Sequence, residues 1–242
     1  MKILLAPAET KQQGGELPPI NLDNFQLQKP IIDEYEQFIS VSSIEELSKW
    51  FGLKDLGICG NYKRSIKNLP TLKAIQRYTG IAFDAIDYNH LNDNAQNFID
   101  KNVIIFSNLF GYLQANTPIP DYKFKQGATL PNINNEKFYK EHLKDILDKT
   151  LDDEVLDLRA TFYNKIYKPI APTITYKFLL NGKVVSHWAK HYRGELVKQI
   201  AQNNIESFAE LMNFKFKDLS LIEIQKKKNI KTIIMEIKKD TI

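Results

Sequence analysis

Short apolar runs alternate with amphipathic stretches along the chain. A brief apolar run bounded by turn residues is typical of a buried strand, and residues 2–6, 103–106 and 154–158 have this pattern. The first run ends at Pro7, which cannot continue a central strand ladder. Amphipathic patterns predict helices at residues 31–40, 43–51, 135–150, 187–202 and 207–212, and Ser43 followed by Glu46 is a capping-box signature.

Two hairpins are predicted in the second half of the chain. Asn181-Gly182 between residues 173–180 and 183–186 indicates a type I′ turn, and residues 219–224 and 232–237 flank a lysine-rich turn. Stretches rich in Gly and Pro, residues 11–30 and 107–127, are predicted as loops. Strands and helices are intermixed without a linker or repeat. The sequence therefore predicts a single α/β domain over residues 1–242, a mixed sheet flanked by helices.

Composition narrows the class of protein. The 242 residues are 43% hydrophobic, enough for a sizeable core. One cysteine, Cys59, and four histidines argue against a zinc or iron–sulfur site, so we expect no metal and no cofactor. No run approaches the roughly 18 consecutive apolar residues of a membrane span, and the N-terminus lacks a secretory pattern. We expect a soluble cytoplasmic protein without a membrane partner.

Positive charge is concentrated in two segments, although the formal net charge is only +4. Residues 49–77 contain seven basic residues and one acid, and residues 159–198 contain eight and one, so the rest of the chain is net negative. Concentrated positive charge favours a polyanion such as nucleic acid. The alternative is that both segments are solvated faces with counter-charges beside them in the fold, for instance Asp145, Asp148, Asp152, Asp153, Glu154 and Asp157.

Residues 53–66 resemble a helix–hairpin–helix element, in which an apolar-Gly-apolar turn lies between short helices. Such turn glycines let backbone N–H groups approach a phosphate. Lys63, Arg64 and Lys67 would add charged contacts from the start of the following helix. The alternative is a plain corner between two helices, with Gly57 and Gly60 at helix C-termini.

The predicted helix 187–202 carries a second group of candidates. Lys190 and Arg193 are three residues apart and therefore share a face. Gly194 costs a helix interior about 1 kcal/mol relative to alanine, which indicates either close packing or the close approach of a ligand. His187 and His191 have i,i+4 spacing, but the helix lacks the Glu of the HExxH pattern, so they do not predict a metal site.

Several blocks resemble one family, the YaaA peroxide-stress proteins. Residues 4–10, LLAPAET, resemble its SPAKT strand and turn, and residues 107–113, SNLFGYL, resemble its SGLYGVL. Residues 121–127, DYKFKQG, are similar to its PYRLEMG, residues 157–165 to its NLAS.EY.K, and residues 188–194, WAKHYRG, to its YAKKARG. The blocks occur in family order over nearly the whole chain. Glu9 stands where the family usually has lysine, and Gln114-Ala115 replaces Arg-Pro.

The resemblance implies a single α/β domain of unusual topology, with a helix–hairpin–helix element and a basic cleft that binds DNA. It also implies a link to protection from hydrogen peroxide. The matching positions are Lys123, Lys165, Lys190, Arg193 and Gly194. We therefore expect a non-enzymatic DNA-binding protein of the oxidative stress response, which contacts duplex or branched DNA through phosphates without strong sequence specificity.

A second hypothesis places an enzyme at the same cleft. Its substrate would be a nucleotide or another phosphate-bearing small molecule, and Tyr163, Asp157 or His187 would act as acid–base groups. A long open groove favours the polymer, whereas a closed pocket with a buried carboxylate favours the small substrate.

Overall fold

Strands and helices are intermixed along residues 1–238, which are the residues that the computed structural model describes. The strands are β1 (Lys2–Leu5), β2 (Thr71–Lys73), β3 (Val103–Ser107), β4 (Gly111–Gln114), β5 (Pro118–Pro120), β6 (Val155–Asp157), β7 (Thr173–Leu180), β8 (Lys183–Val184), β9 (Leu219–Lys227) and β10 (Ile230–Ile237). The α-helices are α1 (Lys29–Val41), α2 (Ile44–Phe51), α3 (Leu56–Tyr62), α4 (Ala74–Arg77), α5 (Ile81–Ile86), α6 (Asp93–Asn102), α7 (Asn135–His142), α8 (Lys144–Thr150), α9 (Ser186–Gln202) and α10 (Phe208–Asn213).

The main sheet is mixed and its centre is parallel. Its strand order is β4-β3-β1-β6-β7-β10-β9, with β8 added to β7. Strand β1 pairs in parallel with β3 and β6, and β7 pairs in parallel with β6 and β10. Strands β4, β8 and β9 pair antiparallel, and β2 and β5 form a separate antiparallel pair. The predicted α/β class, a mixed sheet flanked by helices, is confirmed.

The apolar runs of the sequence form the central strands because both faces of this sheet are covered. Strand β3 is buried at all five positions, and Ile3 and Leu4 of β1 are fully buried. One hydrophobic cluster extends from these strands to residues of α1, α6 and α9. Among residues 1–238, no helix combines the length and apolarity that a membrane crossing requires.

Local signals predicted several elements correctly. The capping box is present, with the Glu46 N–H donating to Ser43 Oγ at 3.2 Å and the Ser43 N–H donating to the Glu46 carboxylate at 2.8 Å. Asn181 and Gly182 both have positive φ, 52° and 72°, as a type I′ turn requires. The predicted helix 135–150 is instead two helices, α7 and α8, which meet at Leu143, and β4 and β5 lie in a stretch predicted as loop.

Strand β9 forms an open edge of the main sheet. It follows β10 as the last strand, and eight of its nine residues are exposed. The exposed residues include Leu221, Ile222 and Ile224, and Lys226 and Lys227 occupy its end next to the turn. Lysines at a free edge oppose pairing with another chain.

Candidate functional site

Three segments leave the main sheet at the carboxyl ends of parallel strands. Residues 6–11 follow β1, Asn108 follows β3, and Asp157 is the last residue of β6. Because β3 and β6 both pair in parallel with β1, these three ends lie at one edge of the sheet. Open α/β sheets bind their ligands at this edge.

A groove of about 520 Å³, which we call the edge groove, lies beside the segment that follows β1. The Glu9 carboxylate pairs with the Lys123 ammonium at 3.2 Å and accepts the backbone N–H of Gln126 at 2.7 Å. The exposed side chain of Lys125 passes Gly52, with its Cδ 3.0 Å from the place that a Cβ would occupy. The lining residues are Glu9, Phe51, Gly52, Lys123, Lys125, Gln126 and Phe162.

Both basic segments of the sequence contribute residues to the lining of the edge groove, but none of these residues is basic. Phe51 and Gly52 belong to residues 49–77, and Phe162 belongs to residues 159–198. Phe162 lies in a single turn of 3-10 helix, Thr161–Lys165, that follows β6. The ammonium of Lys165 lies 4.7 Å from the centroid of the Phe162 ring, so this turn combines an aromatic surface with positive charge.

The same turn borders a second pocket of about 480 Å³, which we call the lysine pocket. It lies between the turn and the helices α7 and α8. Its lining residues are Lys140, Lys144, Thr161, Asn164, Lys165, Ile166, Tyr167 and Lys168. Four of these eight are lysines and none is acidic.

Six lysines line the edge groove or the lysine pocket, on either side of the turn Thr161–Lys165. Three of the six have acidic partners. Lys123 pairs with Glu9, Lys144 with Asp148 at 2.7 Å, and Lys165 with Glu136 at 3.6 Å. Within residues 1–238, the other three lysines form no ion pair, and all three are exposed. They are Lys125, Lys140 and Lys168.

A small cavity of about 20 Å³ adjoins the edge groove, since Glu9 and Gln126 line both. Lys11 points into this region, and the residue keeps partial solvent exposure. Its ammonium donates a long hydrogen bond of 3.5 Å to the Ala8 carbonyl oxygen. Asn108, Tyr122 and Tyr163 complete the polar lining of the cavity.

A chain of hydroxyl groups fixes the two tyrosines beside Lys11. Ser107 Oγ accepts the backbone N–H groups of Leu109 and Phe110 at 3.2 and 3.1 Å, so its own proton is donated to the Tyr122 hydroxyl at 2.9 Å. The Tyr122 hydroxyl then donates to that of Tyr78 at 2.7 Å. Burial raises the pKa of Tyr78 to about 12 and also raises the pKa of Tyr122 well above its usual value, so both remain neutral.

The charged form of Lys11 is disfavoured in this place. Its Nζ lies 4.2 Å from the ring centroid of Tyr122 and 5.2 Å from that of Tyr78, contacts that favour an ammonium by about 1–2 kcal/mol. Removal of an ammonium from water costs several kcal/mol, and Glu9 pairs with Lys123 instead. Burial therefore prevails and, with the nearby Lys123 ammonium, lowers the pKa of Lys11 to about 7.

The carboxyl end of β6 holds a buried ion pair. The Asp157 carboxylate accepts two hydrogen bonds from Arg159, from Nε at 2.9 Å and from Nη2 at 2.8 Å. Arg159 also donates to the Tyr167 carbonyl oxygen at 3.1 Å and lies 4.2 Å from the centroid of the Phe106 ring. Arg159 is thus held inside the protein. Burial lowers the pKa of Arg193, and the negative charge of the nearby Asp157 acts in the opposite direction and raises it.

The sequence-predicted residues Lys63, Arg64 and Lys67 line neither the edge groove nor the lysine pocket and contact residues of α1, the turn after it, and Asp121. Each has an acceptor inside the protein. Lys63 donates to the Ser42 carbonyl oxygen at 2.8 Å, Arg64 lies 3.9 Å from the Asp121 carboxylate, and Lys67 pairs with Asp33 at 2.8 Å.

The helix–hairpin–helix element is not confirmed. Gly57 and Gly60 lie within α3, not in a turn between helices. The alternative that placed them at helix C-termini is wrong, because both lie inside α3 and Gly52 ends α2, with φ of 68°. The corner between α2 and α3 is therefore built on Gly52.

Gly194 packs α9 against α5. A Cβ at this position would lie 2.1 Å from the Ala82 carbonyl oxygen and 2.8 Å from the Ala85 Cβ. The interpretation of this glycine as a close-packing residue is therefore confirmed, and a ligand has no access to it. On the same helix, Lys190 is exposed and has no ion pair within residues 1–238, and Arg193 is half-buried.

Acidic residues from elsewhere in the chain neutralise part of both basic segments. Lys73 pairs with Asp100 at 2.6 Å and Lys198 with Asp87 at 3.4 Å, in addition to the pairs of Lys67 and Arg159. Arg77 is fully buried and donates to backbone carbonyl oxygens. Counter-charges thus lie beside Lys67, Lys73, Lys198 and Arg159, as the alternative to a polyanion surface proposed, but Arg77 and Arg159 are buried and do not belong to a solvated face. Of the six acids suggested from the sequence, only Asp157 pairs with a basic residue of either segment among residues 1–238.

The histidines of α9 do not form part of a metal centre in the part of the chain that the structure describes. There, no three side chains of His, Cys, Asp or Glu lie close enough together to hold a metal. The Trp188 ring lies edge-on to both, with centroids 6.3 Å from His187 and 5.9 Å from His191. These histidines belong to an aromatic cluster.

The fold and the site define an α/β protein with a lysine-rich candidate site at the carboxyl ends of its parallel strands. A family model described as peroxide stress protein YaaA matches residues 1–225, and the chain belongs to this family. It is 41% identical over 244 residues to an uncharacterized protein of Campylobacter jejuni, covering 98% of this chain and 99% of that one. It is 33% identical over 221 residues to a UPF0246 protein of Corynebacterium glutamicum, covering 86% and 87%.

Proposed function

We propose that this peroxide stress protein binds DNA through its phosphate groups, on the surface formed by the edge groove and the lysine pocket. The observation that supports the proposal is the group of six lysines around the single turn Thr161–Lys165. Lysines placed this way neutralise successive phosphates and release counterions, which is the main source of sequence-independent affinity. The lysines are Lys123, Lys125, Lys140, Lys144, Lys165 and Lys168.

The half-buried ring of Phe162 supplies the second element of the interface. It lines the edge groove beside Lys165, where an unpaired base can stack on it. Stacking of this kind is tolerant of sequence because every base has a flat face. We therefore expect recognition of DNA shape and of exposed bases, with little discrimination between sequences.

Four of the sequence-predicted residues remain part of the proposal at two further places on the protein. Lys190 and Arg193 lie on α9, and Lys63 and Arg64 lie next to α2 and α3. Lys67 and Gly194 support the fold, since Lys67 pairs with Asp33 and Gly194 is buried.

The double substitution Lys125→Ala and Lys168→Ala tests the proposal most directly, because both side chains are exposed and without an ion pair in residues 1–238. We expect about tenfold weaker binding or more, and a log–log salt dependence whose slope falls by about 0.9 for each phosphate that is no longer neutralised. The measurement is a gel-shift series against duplex, single-stranded and branched DNA at several salt concentrations. Lys215→Ala, an exposed lysine near α10, is the matched control and should bind normally.

Two results would contradict the proposal. One is DNA binding that does not respond to salt. The other is equal affinity of the double variant and the control. The pair Lys190→Ala and Arg193→Ala, assayed in the same series, shows whether α9 forms part of the interface; we expect it to weaken binding to all sequences alike.

A second candidate function is an enzyme that acts on a phosphate-bearing small molecule. The observation that favours it is the cavity of about 20 Å³ beside Lys11, which admits one small group of a ligand whose remainder lies in the adjoining edge groove. Isothermal titration calorimetry with nucleotides and with sugar phosphates distinguishes this function from DNA binding. Saturable binding of such a compound without binding of DNA would favour the enzyme.

A further inference from the structure

We propose that Lys11 is a nucleophile that forms a covalent imine with the aldehyde group of a phosphate-bearing ligand. The edge groove would hold the phosphate through Lys123 and Lys125, and the aldehyde would enter the small cavity. The phosphate part of this inference rests on the proposed function. The imine is an additional chemical step, located at one atom of one residue.

The geometry around Lys11 suits a nucleophile. An attacking amine needs a free lone pair, and Lys11 has neither a carboxylate partner within residues 1–238 nor a strong hydrogen bond, its contact with the Ala8 carbonyl oxygen being 3.5 Å. The neighbouring Tyr78 and Tyr122 are neutral and held by their own hydroxyl chain. The attraction of the rings and of the more distant Glu9 and Asp121 carboxylates favours retention of the proton on Nζ, but burial and the Lys123 ammonium outweigh it.

The reaction is balanced without an oxidant or a cofactor. The lone pair of Nζ attacks the carbonyl carbon, and the carbonyl oxygen becomes the hydroxyl of a carbinolamine. The C–O bond then breaks and a C=N bond forms. The oxygen leaves as water with the two hydrogens that the neutral amine carried, so aldehyde and amine give imine and water.

The size of the cavity restricts the ligand. A volume of about 20 Å³ holds one water molecule, so a formyl group fits and a nucleobase does not. The remainder of the ligand must lie in the adjoining edge groove, of about 520 Å³, next to Lys123 and Lys125. Two sources have this chemistry. One is the ring-opened sugar of an abasic site in DNA, and the other is a free sugar phosphate with an aldehyde end.

The pH dependence of the reaction distinguishes Lys11 from surface lysines. Its pKa of about 7 leaves about half of the amine neutral at pH 7, against roughly one part in 2,500 for an exposed lysine. The charged groups that act on it are Glu9, Arg77, Asp121 and Lys123, and its ionisable neighbours are Tyr78, Tyr122 and Tyr163. We expect imine formation at Lys11 to rise between pH 6 and 8 and then level off, because above pH 8 nearly all of the Lys11 amine is already neutral.

Reductive trapping tests the inference. The full-length protein is incubated at pH 7 with sodium cyanoborohydride, which reduces an imine to a stable secondary amine. One arm contains a labelled duplex with a single abasic site, and the other contains glyceraldehyde 3-phosphate. Gel electrophoresis measures cross-linked DNA, and mass spectrometry of peptides locates the adduct. We expect Lys11 to be labelled at least about tenfold more than the mean of the exposed lysines.

Two variants make the result specific. Lys11→Met removes the amine and keeps the length of the side chain, so the adduct should be lost while circular dichroism shows an intact fold. In the control variant Lys215→Met, the amount of adduct at Lys11 should equal that in the parent protein. Trapping in the abasic arm alone identifies DNA as the source of the aldehyde, and trapping in the other arm alone identifies a sugar phosphate. Adducts spread over surface lysines, or unchanged in Lys11→Met, would overturn the inference.

A gel shift with intact duplex, run in parallel, separates this inference from the proposed function. Adduct at Lys11 with glyceraldehyde 3-phosphate, without binding of duplex, rejects DNA binding and retains the imine. Salt-sensitive binding of duplex without adduct in either arm rejects the imine and retains DNA binding.

Discussion

Gly194→Ala is expected to destabilise the protein by about 3 kcal/mol or more, or to prevent folding at physiological temperature. The added Cβ would lie 2.1 Å from the Ala82 carbonyl oxygen, and a backbone atom cannot rotate away as the end of a flexible side chain can. Helix α5 must therefore move away from α9, and the packing between the two helices is disrupted. Urea denaturation followed by circular dichroism measures the effect.

Gly60→Ala provides the matched control. Gly60 is also helical, within α3, but a Cβ there has open space around it. Because alanine has the higher helix propensity, we expect this variant to be more stable by about 0.5–1 kcal/mol. The gain in helix propensity is the same at both positions, so opposite signs of the change in stability result from the difference in packing around the added Cβ. A small effect at Gly194 would mean that α5 and α9 are further apart than described.

The second large effect concerns the pH dependence of stability. The pKa of Lys11 is about 7 in the folded protein and near 10.5 in the unfolded chain. Between pH 7 and 10 the unfolded chain therefore binds one more proton at this residue. The contribution of Lys11 to the free energy of unfolding should rise with pH in this window, by at most about 1.4 kcal/mol per pH unit, and less because the residue is partly exposed to water.

Lys11→Met removes this dependence. The variant no longer buries an ionisable amine, so we expect it to be more stable than the parent protein at pH 7, by about 1–3 kcal/mol, with a flatter profile from pH 7 to 10. The pKa of the buried Tyr78 is raised to about 12, so tyrosines of this kind lower the stability of both proteins near pH 10, and the difference between the two profiles isolates Lys11. Chemical denaturation at each pH unit from 6 to 10 is the measurement, and Lys215→Met is the control. Parallel profiles for the parent protein and Lys11→Met would contradict the account of Lys11.

The elements that sequence analysis predicted correctly are those specified by local interactions. The apolar runs of β1, β3 and β6 must be buried wherever they lie, and Asn181-Gly182 permits only a narrow range of turns. The short helices α5 and α6 were missed. Helix α5 has only six residues and depends on its contact with Gly194 of α9. Tertiary contacts of this kind leave little trace in a local pattern.

The candidate site was predicted in part. The resemblance to the family identified Lys123 and Lys165, and the structure places them at opposite sides of the turn Thr161–Lys165. Two signals for the lysine pocket were available. Lys140 and Lys144 are four residues apart in a predicted helix, and Lys168 lies three residues after Lys165.

Lys11 could not be identified from the sequence. Its lowered pKa comes from burial and from Lys123, which lies far along the chain and approaches it only in the fold. The same limit applies to charge. Counting residues in a segment does not show that Lys67 meets Asp33 or that Lys73 meets Asp100. The apparent separation of charge in the sequence is therefore larger than the separation on the molecule.

The open edge at β9 has a consequence for the behaviour of the protein in solution. Lys226 and Lys227 keep copies apart by mutual repulsion at a strand whose exposed residues include Leu221, Ile222 and Ile224. Dissolved salt shortens the range of that repulsion to roughly 10 Å at 0.1 M and about 3 Å at 1 M. We therefore expect copies of the protein to associate most at high protein concentration and high salt, and least in dilute solutions of low salt.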